Sequence, residues 1–408
     1  MGGHAIVSRE PLRRPTPGKR PLTRGMTLFF AAACGLIVAN LYFAQPIAAD
    51  IGADLGMSPA AIGLIVTFTQ LGYGTGLLLV APLGDVVENR RLVAACLFAC
   101  ALALAGFALA PGVAAALALC LAIGAACVCA QIIVPFAAHM ASEERRGQVV
   151  GDVMSGLMIG IMLSRPAASF MTHWFGWRAV FSTSSALMGA LALIVLKFAP
   201  ARRPAAALGY GATLRSLFSL ARDVPVLRRR IAVQAPLFAA FSLFWTAVPL
   251  LLTSPAFGLT QQGVALFALF GAGGAVMAPI VGRASASLRL MMGAAVVSVG
   301  LSLALAALAA RLHSLALLAV CALALDMGVS ANLILSQRLL FAVAEQARSR
   351  LNAMFIASFF VGGAAGSALS AAAYERGGWA LACGVGGGFA ALALAAFLRE
   401  AARRDSAG

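Results

Sequence analysis

Residues 143–177 read EERRGQVVGDVMSGLMIGIMLSRPAASFMTHWFGW, and residues 345–379 read EQARSRLNAMFIASFFVGGAAGSALSAAAYERGGW. The two stretches align without a gap. Each begins with Glu, continues through a basic cluster into a long apolar run, and ends in Gly-Trp. An apolar helix of roughly 20 residues crosses the ~30 Å hydrocarbon core of a membrane. The alignment therefore predicts two similar halves that run in the same direction through a membrane, a repeat typical of secondary transporters.

The composition of the whole chain supports membrane insertion. Of 408 residues, 62% are hydrophobic and 11% are charged, which excludes an ordinary soluble domain. Twelve apolar stretches are long enough to span, and they predict an all-α integral membrane fold with two pseudo-symmetric six-helix bundles. The predicted spans are 26–48, 61–82, 92–110, 113–138, 149–171, 179–199, 230–253, 263–283, 290–310, 315–337, 351–373 and 379–398.

Composition shifts divide the chain into five parts. We expect a basic cytoplasmic tail over 1–25 and an N-terminal six-helix bundle over 26–199. A polar, basic cytoplasmic linker over 200–229 separates it from a C-terminal six-helix bundle over 230–398. Residues 399–408 form a second cytoplasmic tail in this prediction.

The distribution of positive charge predicts the orientation. The net charge is +16, and most Lys and Arg residues lie in the tails, the linker and the loops of one side. The other loops hold only Arg178, Arg311 and Arg376. Positive loops mark the cytoplasmic side, so both termini are predicted to be cytoplasmic in a multi-pass protein of the inner (plasma) membrane. The basic residues are explained by this topology and by anionic lipid, and we expect no nucleic-acid partner.

The cysteines indicate neither disulfides nor a metal site. All eight lie inside predicted spans, so no disulfide framework follows. Cys120, Cys127 and Cys129 cluster on one helix but lack the nearby His or acid ligands that a metal ion would need. No Gly-rich loop ends in Lys-Ser/Thr, so a nucleotide-driven pump is not indicated. We expect no cofactor and no metal.

One loop carries a family resemblance. Residues 82–91 read PLGDVVENRR, which resembles the cytoplasmic loop motif of the major facilitator superfamily. Together with the twelve spans and the repeat, the resemblance covers nearly the whole chain. The stretches 40–46, 70–73, 176–178 and 348–352 are similar to the bacterial efflux branch of drug and sugar proton-antiporters. The resemblance implies that Asp85, Arg90 and Arg91 form a cytoplasmic gate.

Two charged residues lie deep inside predicted spans, several residues from either end. Asp326 is in the middle of the tenth span, where a charge costs roughly 2.5–3.5 kcal/mol on insertion scales. We interpret Asp326 as the proton-coupling residue, with a structural hydrogen bond to a neighbouring helix as the alternative. Arg165 is the corresponding base in the fifth span. It is predicted to bind substrate or to pair with Asp326, and the alternative is an Arg that fixes helix packing.

Several uncharged polar and aromatic residues are also unusual in spans. Each either lines a central substrate site or joins helices by hydrogen bonds and packing. The Tyr and Trp residues among them could form an aromatic, drug-tolerant pocket. The predicted substrate-binding set, beside Arg165, is Asn40, Gln45, Gln70, Tyr73, Gln131, Trp245 and Asn332, with Tyr42 a further aromatic candidate.

These patterns predict a secondary transporter that works by alternating access. We expect proton-coupled efflux of a small amphipathic molecule, drug-like or sugar-like, by a monomer in the bilayer. An uptake or exchange carrier for a metabolite on the same fold is the first alternative. A membrane-embedded enzyme or sensor is more remote, because an intramembrane hydrolase would need a nucleophile with His or a metal cluster, and no His accompanies Asp326. The protein is therefore not expected to be an enzyme.

Overall fold

The structure, a computed structural model, describes residues 23–203, 209–274, 277, 280–281, 287–343 and 348–405. These residues form helices and short connections without any strand. The N-terminal half contains α1 (Arg24–Ala39), α2 (Ala44–Asp54), α3 (Gly63–Leu79), α4 (Asn89–Ala108), α5 (Val113–Cys127), α6 (Cys129–Met140), α7 (Arg146–Phe175) and α8 (Trp177–Phe198). The linker and C-terminal half contain α9 (Tyr210–Asp223), α10 (Pro225–Thr253), α11 (Gln261–Ala268), α12 (Leu288–Arg311), α13 (Leu315–Val343) and α14 (Arg348–Asp405).

The described helices confirm a membrane-spanning all-α architecture. Nine spans are long and apolar enough to cross a bilayer, with α5 and its continuation α6 counted as one, or ten if the bent pair α1 and α2 forms one span. The count of twelve stays a prediction. The segment predicted to be the eighth span is described only in part, and α14 runs through both of the last two predicted spans.

The first predicted span is broken in the middle. Helices α1 and α2 meet at an angle of 41°, with the break at Asn40. The Asn40 side-chain amide donates to the carbonyl oxygens of Leu36 and Ile37, and its side-chain oxygen accepts from the Ser184 hydroxyl at 2.6 Å. The Asn40 amide thereby adds a side-chain donor to the carbonyl groups of the last turn of α1. The axis of α2 therefore departs from that of α1 near the middle of the first predicted span.

Glycine allows a change of direction inside α14. Gly377 and Gly378 leave the helical conformation, and Gly378 has a φ of +60°. This left-handed region favours glycine because a Cβ atom would be strained there. The two predicted spans 351–373 and 379–398 therefore lie on either side of this change of direction.

The sequence repeat corresponds to a repeated helix contact. A Cβ atom on Gly160 of α7 would lie 2.2 Å from the Gly35 carbonyl oxygen of α1, the first helix of its half. At the aligned position, a Cβ atom on Gly362 of α14 would lie 2.3 Å from the Ala235 carbonyl oxygen of α10, the first long helix of the other half. Small residues let helix backbones approach closely in membranes. The two halves therefore use matching positions for the same kind of packing.

The two halves contact each other through α3 and α14. A Cβ atom on Gly63 would lie 2.1 Å from the Ser367 carbonyl oxygen. The Thr67 hydroxyl shares a hydrogen bond of 2.9 Å with the Ser367 hydroxyl. Nearer the other end of the pair, Gly74 faces the Ala357 carbonyl oxygen. The halves thus touch along much of the length of these two helices.

The predicted linker contains a helix. Helix α9 lies inside residues 200–229, and α10 begins at Pro225, before the predicted start of the second bundle. The Tyr210 hydroxyl donates to the Leu79 carbonyl oxygen in the N-terminal half, and Arg350 of the C-terminal half donates to the Ser216 hydroxyl. The linker helix therefore contacts both halves.

We call the end of the molecule that holds the turn 81–91, the linker and the start of α14 the basic face, and the other end the opposite face. Most of the predicted tail 1–25 lies outside the described residues, whereas most of the predicted tail 399–408 belongs to α14.

Candidate functional site

Arg165 lies on α7 where both halves meet and is 1% exposed. Its Nε donates to the side-chain oxygen of Gln45 on α2 at 2.9 Å. Its guanidinium carbon lies 4.5 Å from the ring centroid of Trp245 on α10, 5.1 Å from that of Tyr42 and 5.5 Å from that of Phe241. A cation this close to aromatic rings is attracted to their faces, most strongly to Trp. The rings therefore stabilise the buried charge from both halves.

Asp326 lies on α13 of the C-terminal half and is 5% exposed. Its Oδ2 accepts the backbone N–H of Gly274 at 2.7 Å. A Cβ atom on Gly274 would lie 2.8 Å from the same oxygen, so only glycine leaves room for the carboxylate there. This bond gives one carboxylate oxygen of Asp326 a backbone donor in a buried position.

The two charges face each other across the interface without a direct ion pair. Arg165 and Asp326 are close enough to interact electrostatically. Among the described residues, however, the acids that pair directly with a base are Glu88, Asp54 and Glu400, not Asp326. Arg165 belongs to the N-terminal half and Asp326 to the C-terminal half. The predicted pairing of Arg165 with Asp326 is therefore not formed as a direct ion pair in this structure.

Three hydrogen-bond donors around Arg165 are not used by the protein. Arg165 Nη2, Gln45 Nε2 and the Trp245 indole Nε1 are buried, and none of them has a hydrogen-bond partner. The indole N–H faces the Asp326 carboxylate, but no acceptor lies within hydrogen-bond geometry of it. Buried donors without partners are costly, and a cluster of them marks a place where a ligand could bind.

Close helix approach shapes this cluster. A Cβ atom on Gly271 would lie 2.8 Å from the Trp245 ring and 3.1 Å from Arg165 Nη1. The break in the first span brings Tyr42 and Gln45 to the Arg165 guanidinium. Discontinuous helices at the interface of two repeats commonly form transporter sites. We call Tyr42, Gln45, Arg165, Trp245 and Asp326 the central cluster.

Other predicted substrate-binding residues make helix contacts instead. Asn40 ends α1, as described above. The Gln70 side-chain amide donates to the Ser242 hydroxyl on α10 at 2.8 Å and thereby joins the two halves. Gln131 donates to the Tyr73 hydroxyl at 3.1 Å, within the N-terminal half.

Asn332 also lies outside the central cluster. Its side-chain amide donates to Gln234 on α10, and Gln234 in turn donates to the Val329 carbonyl oxygen. Both amides are fully buried within the C-terminal half. The structure therefore brings Gln45, Arg165, Trp245 and Asp326 together and places Asn40, Gln70, Tyr73, Gln131 and Asn332 in separate contacts.

The predicted gate residues lie at the basic face. Arg90 and Arg91 pair with Glu88 at 3.1 and 3.3 Å, rather than with Asp85. Asp85 is exposed and lies near Arg202: partial burial lowers the pKa of the Arg202 guanidinium, and the Asp85 carboxylate opposes that shift. Glu88 therefore pairs with both arginines at the N-terminus of α4.

A cavity of about 100 Å³ opens beside Asp85. It lies between the two halves at the basic face, with Gln131 and His139 on one side and Asn352 on the other. At the opposite face, Gln261 of α11 donates to the Asp50 carboxylate of α2 at 2.7 Å, which closes the halves against each other there.

Sequence reasoning missed three parts of the central cluster's surroundings. Phe241 precedes Trp245 by one helical turn, so helical spacing could have placed both rings on one face. Gly271 and Gly274 have no chemical signal of their own, because a glycine that accommodates a side chain resembles any other small packing residue. Arg165 is also not the one deeply buried base that its position in the sequence indicates, because Arg230 of α10 is 1% exposed as well.

Comparison with known proteins identifies the family. The sequence model of the Major Facilitator Superfamily matches residues 26–298 and 231–408. The uncharacterized transporter YgaY of Escherichia coli O157:H7 is 35% identical over 396 residues, which cover 96% of this chain and 100% of YgaY. The chloramphenicol resistance protein of Streptomyces lividans is 28% identical over 266 residues, which cover 63% of this chain and 66% of that protein.

Solved structures agree on the fold. The crystal structure of the nucleoside transporter NupG superposes with a TM-score of 0.73 over 92% of this chain and 98% of NupG, at 16% sequence identity. The chain belongs to the major facilitator superfamily. It is a multi-pass membrane protein and a transporter on that fold.

Proposed function

We propose that the protein is a proton-coupled secondary transporter that exports a small amphipathic molecule by alternating access. The observation that carries the proposal is the separation of two buried charges: Arg165 in one half and Asp326 in the other, without a direct ion pair. In alternating access the halves rock around a site between them. The interaction of these charges therefore changes as the site opens to each side.

Protonation of Asp326 couples this motion to a proton gradient. The ionised carboxylate attracts Arg165 across the interface, and the protonated carboxyl does not. A ligand shifts a conformational equilibrium only by its different affinity for the two states, and here the proton is such a ligand. In the export cycle, the outward-open state releases substrate and takes up a proton, which the inward-open state returns to the cytoplasm.

The basic face is cytoplasmic in this proposal, as is each terminus, and the membrane is the inner (plasma) membrane. The positive loops support this orientation. Asp85, together with Arg90 and Arg91, acts at the cytoplasmic gate, since the cavity beside Asp85 has to close when the site opens outward. Glu88 positions the two arginines for that contact.

Two observations support a small amphipathic substrate. Three aromatic rings surround a polar centre, a lining that suits a ligand with an apolar body and a few polar groups. The similarity to a chloramphenicol resistance protein favours export. Both charges belong to one chain, so a monomer holds a complete site, and the substrate is moved without a catalytic step.

Everted membrane vesicles from efflux-deficient bacteria test the proposal. We would supply chloramphenicol and a panel of dyes, sugars and nucleosides, and measure uptake before and after nigericin collapses the pH gradient. We expect gradient-dependent uptake by the wild type, loss in Asp326→Asn, and retention in Asp223→Asn, the same substitution at an exposed site. Uptake that is unchanged by nigericin, or full activity of Asp326→Asn, would contradict the proposal. Transport only in right-side-out vesicles would identify an uptake or exchange carrier.

A further inference from the structure

We infer that the substrate is an uncharged aromatic molecule with oxygen acceptors for Arg165, Trp245 and Gln45 and an O–H or N–H donor for Asp326. This inference deepens the proposed function and rests on it. It names the substrate class that the central cluster recognises.

The unused donors define one side of the ligand. Arg165 Nη2, Trp245 Nε1 and Gln45 Nε2 are buried, lack hydrogen-bond partners, and belong to side chains at most 2% exposed. All three are N–H groups and cannot accept hydrogen bonds. A bound ligand satisfies them only if it presents acceptors, such as carbonyl, nitro or hydroxyl oxygens. A ligand whose polar groups are all donors would leave them unsatisfied.

Asp326 defines the other side. An ionised carboxylate accepts several hydrogen bonds, and the Gly274 N–H is the backbone donor that reaches it, at Oδ2. A hydroxyl or amide group of the ligand can therefore donate to the same carboxylate. Protonation of Asp326 would weaken that bond, so substrate and proton compete for one group. Such competition is what export in exchange for a proton requires.

Charge balance selects an uncharged ligand. Among the described residues, the buried charged side chains are Arg165, Asp326, Arg230 and Glu400. Arg230 and Glu400 pair with each other, which leaves Arg165 and Asp326 to balance within the central cluster. An organic cation or anion would add a net charge to this buried site, and an unbalanced buried charge is costly.

The rings favour an aromatic body. Tyr42, Phe241 and Trp245 lie within 5.5 Å of the Arg165 guanidinium, measured to their ring centroids. When the halves separate, those ring faces become available for stacking with a ligand ring. The acceptors of the ligand then lie beside the guanidinium.

Binding to purified protein in lipid nanodiscs tests the inference without any gradient. The uncharged probes are chloramphenicol, thiamphenicol and thymidine; the charged probes are ethidium, a cation, and nalidixate, an aromatic carboxylate. At pH 7 we expect an uncharged probe to bind most tightly. Trp245→Phe keeps a ring but removes the N–H, and should weaken that binding about tenfold, the effect of one lost buried hydrogen bond. Trp379→Phe, whose indole donates to the Ala306 carbonyl oxygen away from the cluster, should leave it unchanged.

Binding measured over a series of pH values separates an effect on ligand recognition from an effect on folding. Lowering the pH should weaken the wild type's binding of the uncharged probe, and Asp326→Asn should remove this dependence. Tighter binding of ethidium or nalidixate, equal effects of the two Trp substitutions, or no binding of any uncharged probe would overturn the inference. Vesicle transport that is independent of the pH gradient would instead reject the proposed function, so the two failures are distinguishable.

Discussion

Two pairs of buried opposite charges exist in the described part of the chain, and they are arranged differently. Arg230 and Glu400 pair directly, join two helices of the same half, and lie with side chains 1% and 8% exposed. Arg165 and Asp326 are equally buried but belong to different halves and are not in direct contact. A direct pair within one rigid half stabilises that half. A separated pair across a moving interface can respond to a proton or a ligand.

The largest effect on folding is expected at the direct pair. Glu400→Gln removes the carboxylate of a buried ion pair, which typically costs about 3–5 kcal/mol. We expect a large fall in the melting temperature of the detergent-solubilised protein and in its yield. The double variant Arg230→Met with Glu400→Leu should recover most of the stability, because apolar replacements avoid the unpaired charge. Wild-type stability of Glu400→Gln would show that the pair has no structural role.

Arg165→Met should affect stability less but abolish transport. Asp326 keeps its hydrogen bond from Gly274, so we expect a loss of about 1–3 kcal/mol, in the range for one unsatisfied buried group. Arg178→Met is the matched control, because Arg178 pairs with Asp54 where both are about half exposed and such pairs contribute little. Transport by Arg165→Met at the wild-type rate would exclude Arg165 from the site.

Packing around the separated pair should be sensitive to one added methyl group. Gly271→Ala places a carbon 2.8 Å from the Trp245 ring and 3.1 Å from Arg165 Nη1. Overpacking of this kind costs about 1–3 kcal/mol, and we expect substrate affinity to fall with it. Gly189→Ala in α8 meets nothing within 4 Å and should be neutral or slightly stabilising. Equal binding by both variants would mean that the central cluster is not closely packed in solution.

The smallest effect is expected at the opposite face. Gln261→Ala removes the hydrogen bond to Asp50 that joins the two halves. Losing one such bond shifts a conformational equilibrium by about 1 kcal/mol, a several-fold change. Labelling of an introduced cysteine measures this change. A cysteine at half-buried Gln262 reports opening of the interface, and a cysteine at Leu312, which is 61% exposed, serves as the reference. Unchanged labelling of the Gln262 site would show that this contact does not hold the halves together.

The fold was largely predictable from the sequence, since apolar length and charge distribution directly reflect the membrane. The break at Asn40 was not, because the apolar run resumes at Leu41–Ala44 and the Asn40 side chain is bonded to Ser184 of a distant helix. The burial of Arg230 was missed for a similar reason. Its partner Glu400 lies near the end of the C-terminal half in the sequence, and no local sequence pattern connects the two residues.

The central cluster was predictable only where chemistry contrasts with the surrounding span. Arg165 and Asp326 stand out because a charge is unusual in an apolar helix. Gln45 and Trp245 could be proposed, but the sequence did not distinguish them from Gln70, Gln131 and Asn332, which hydrogen-bond elsewhere. Whether a polar side chain points toward Arg165 depends on helix rotation and packing between the halves.

The central claim is that the separated charge pair couples proton movement to transport. It is tested most directly by comparing two activities of Asp326→Asn in proteoliposomes, with Asp223→Asn as control. Substrate exchange at equal pH on both sides needs only binding and rocking of the halves, whereas accumulation driven by a pH gradient also needs the proton carrier. The account predicts that Asp326→Asn exchanges substrate but does not accumulate it. Gradient-driven accumulation by Asp326→Asn at the wild-type level would contradict it.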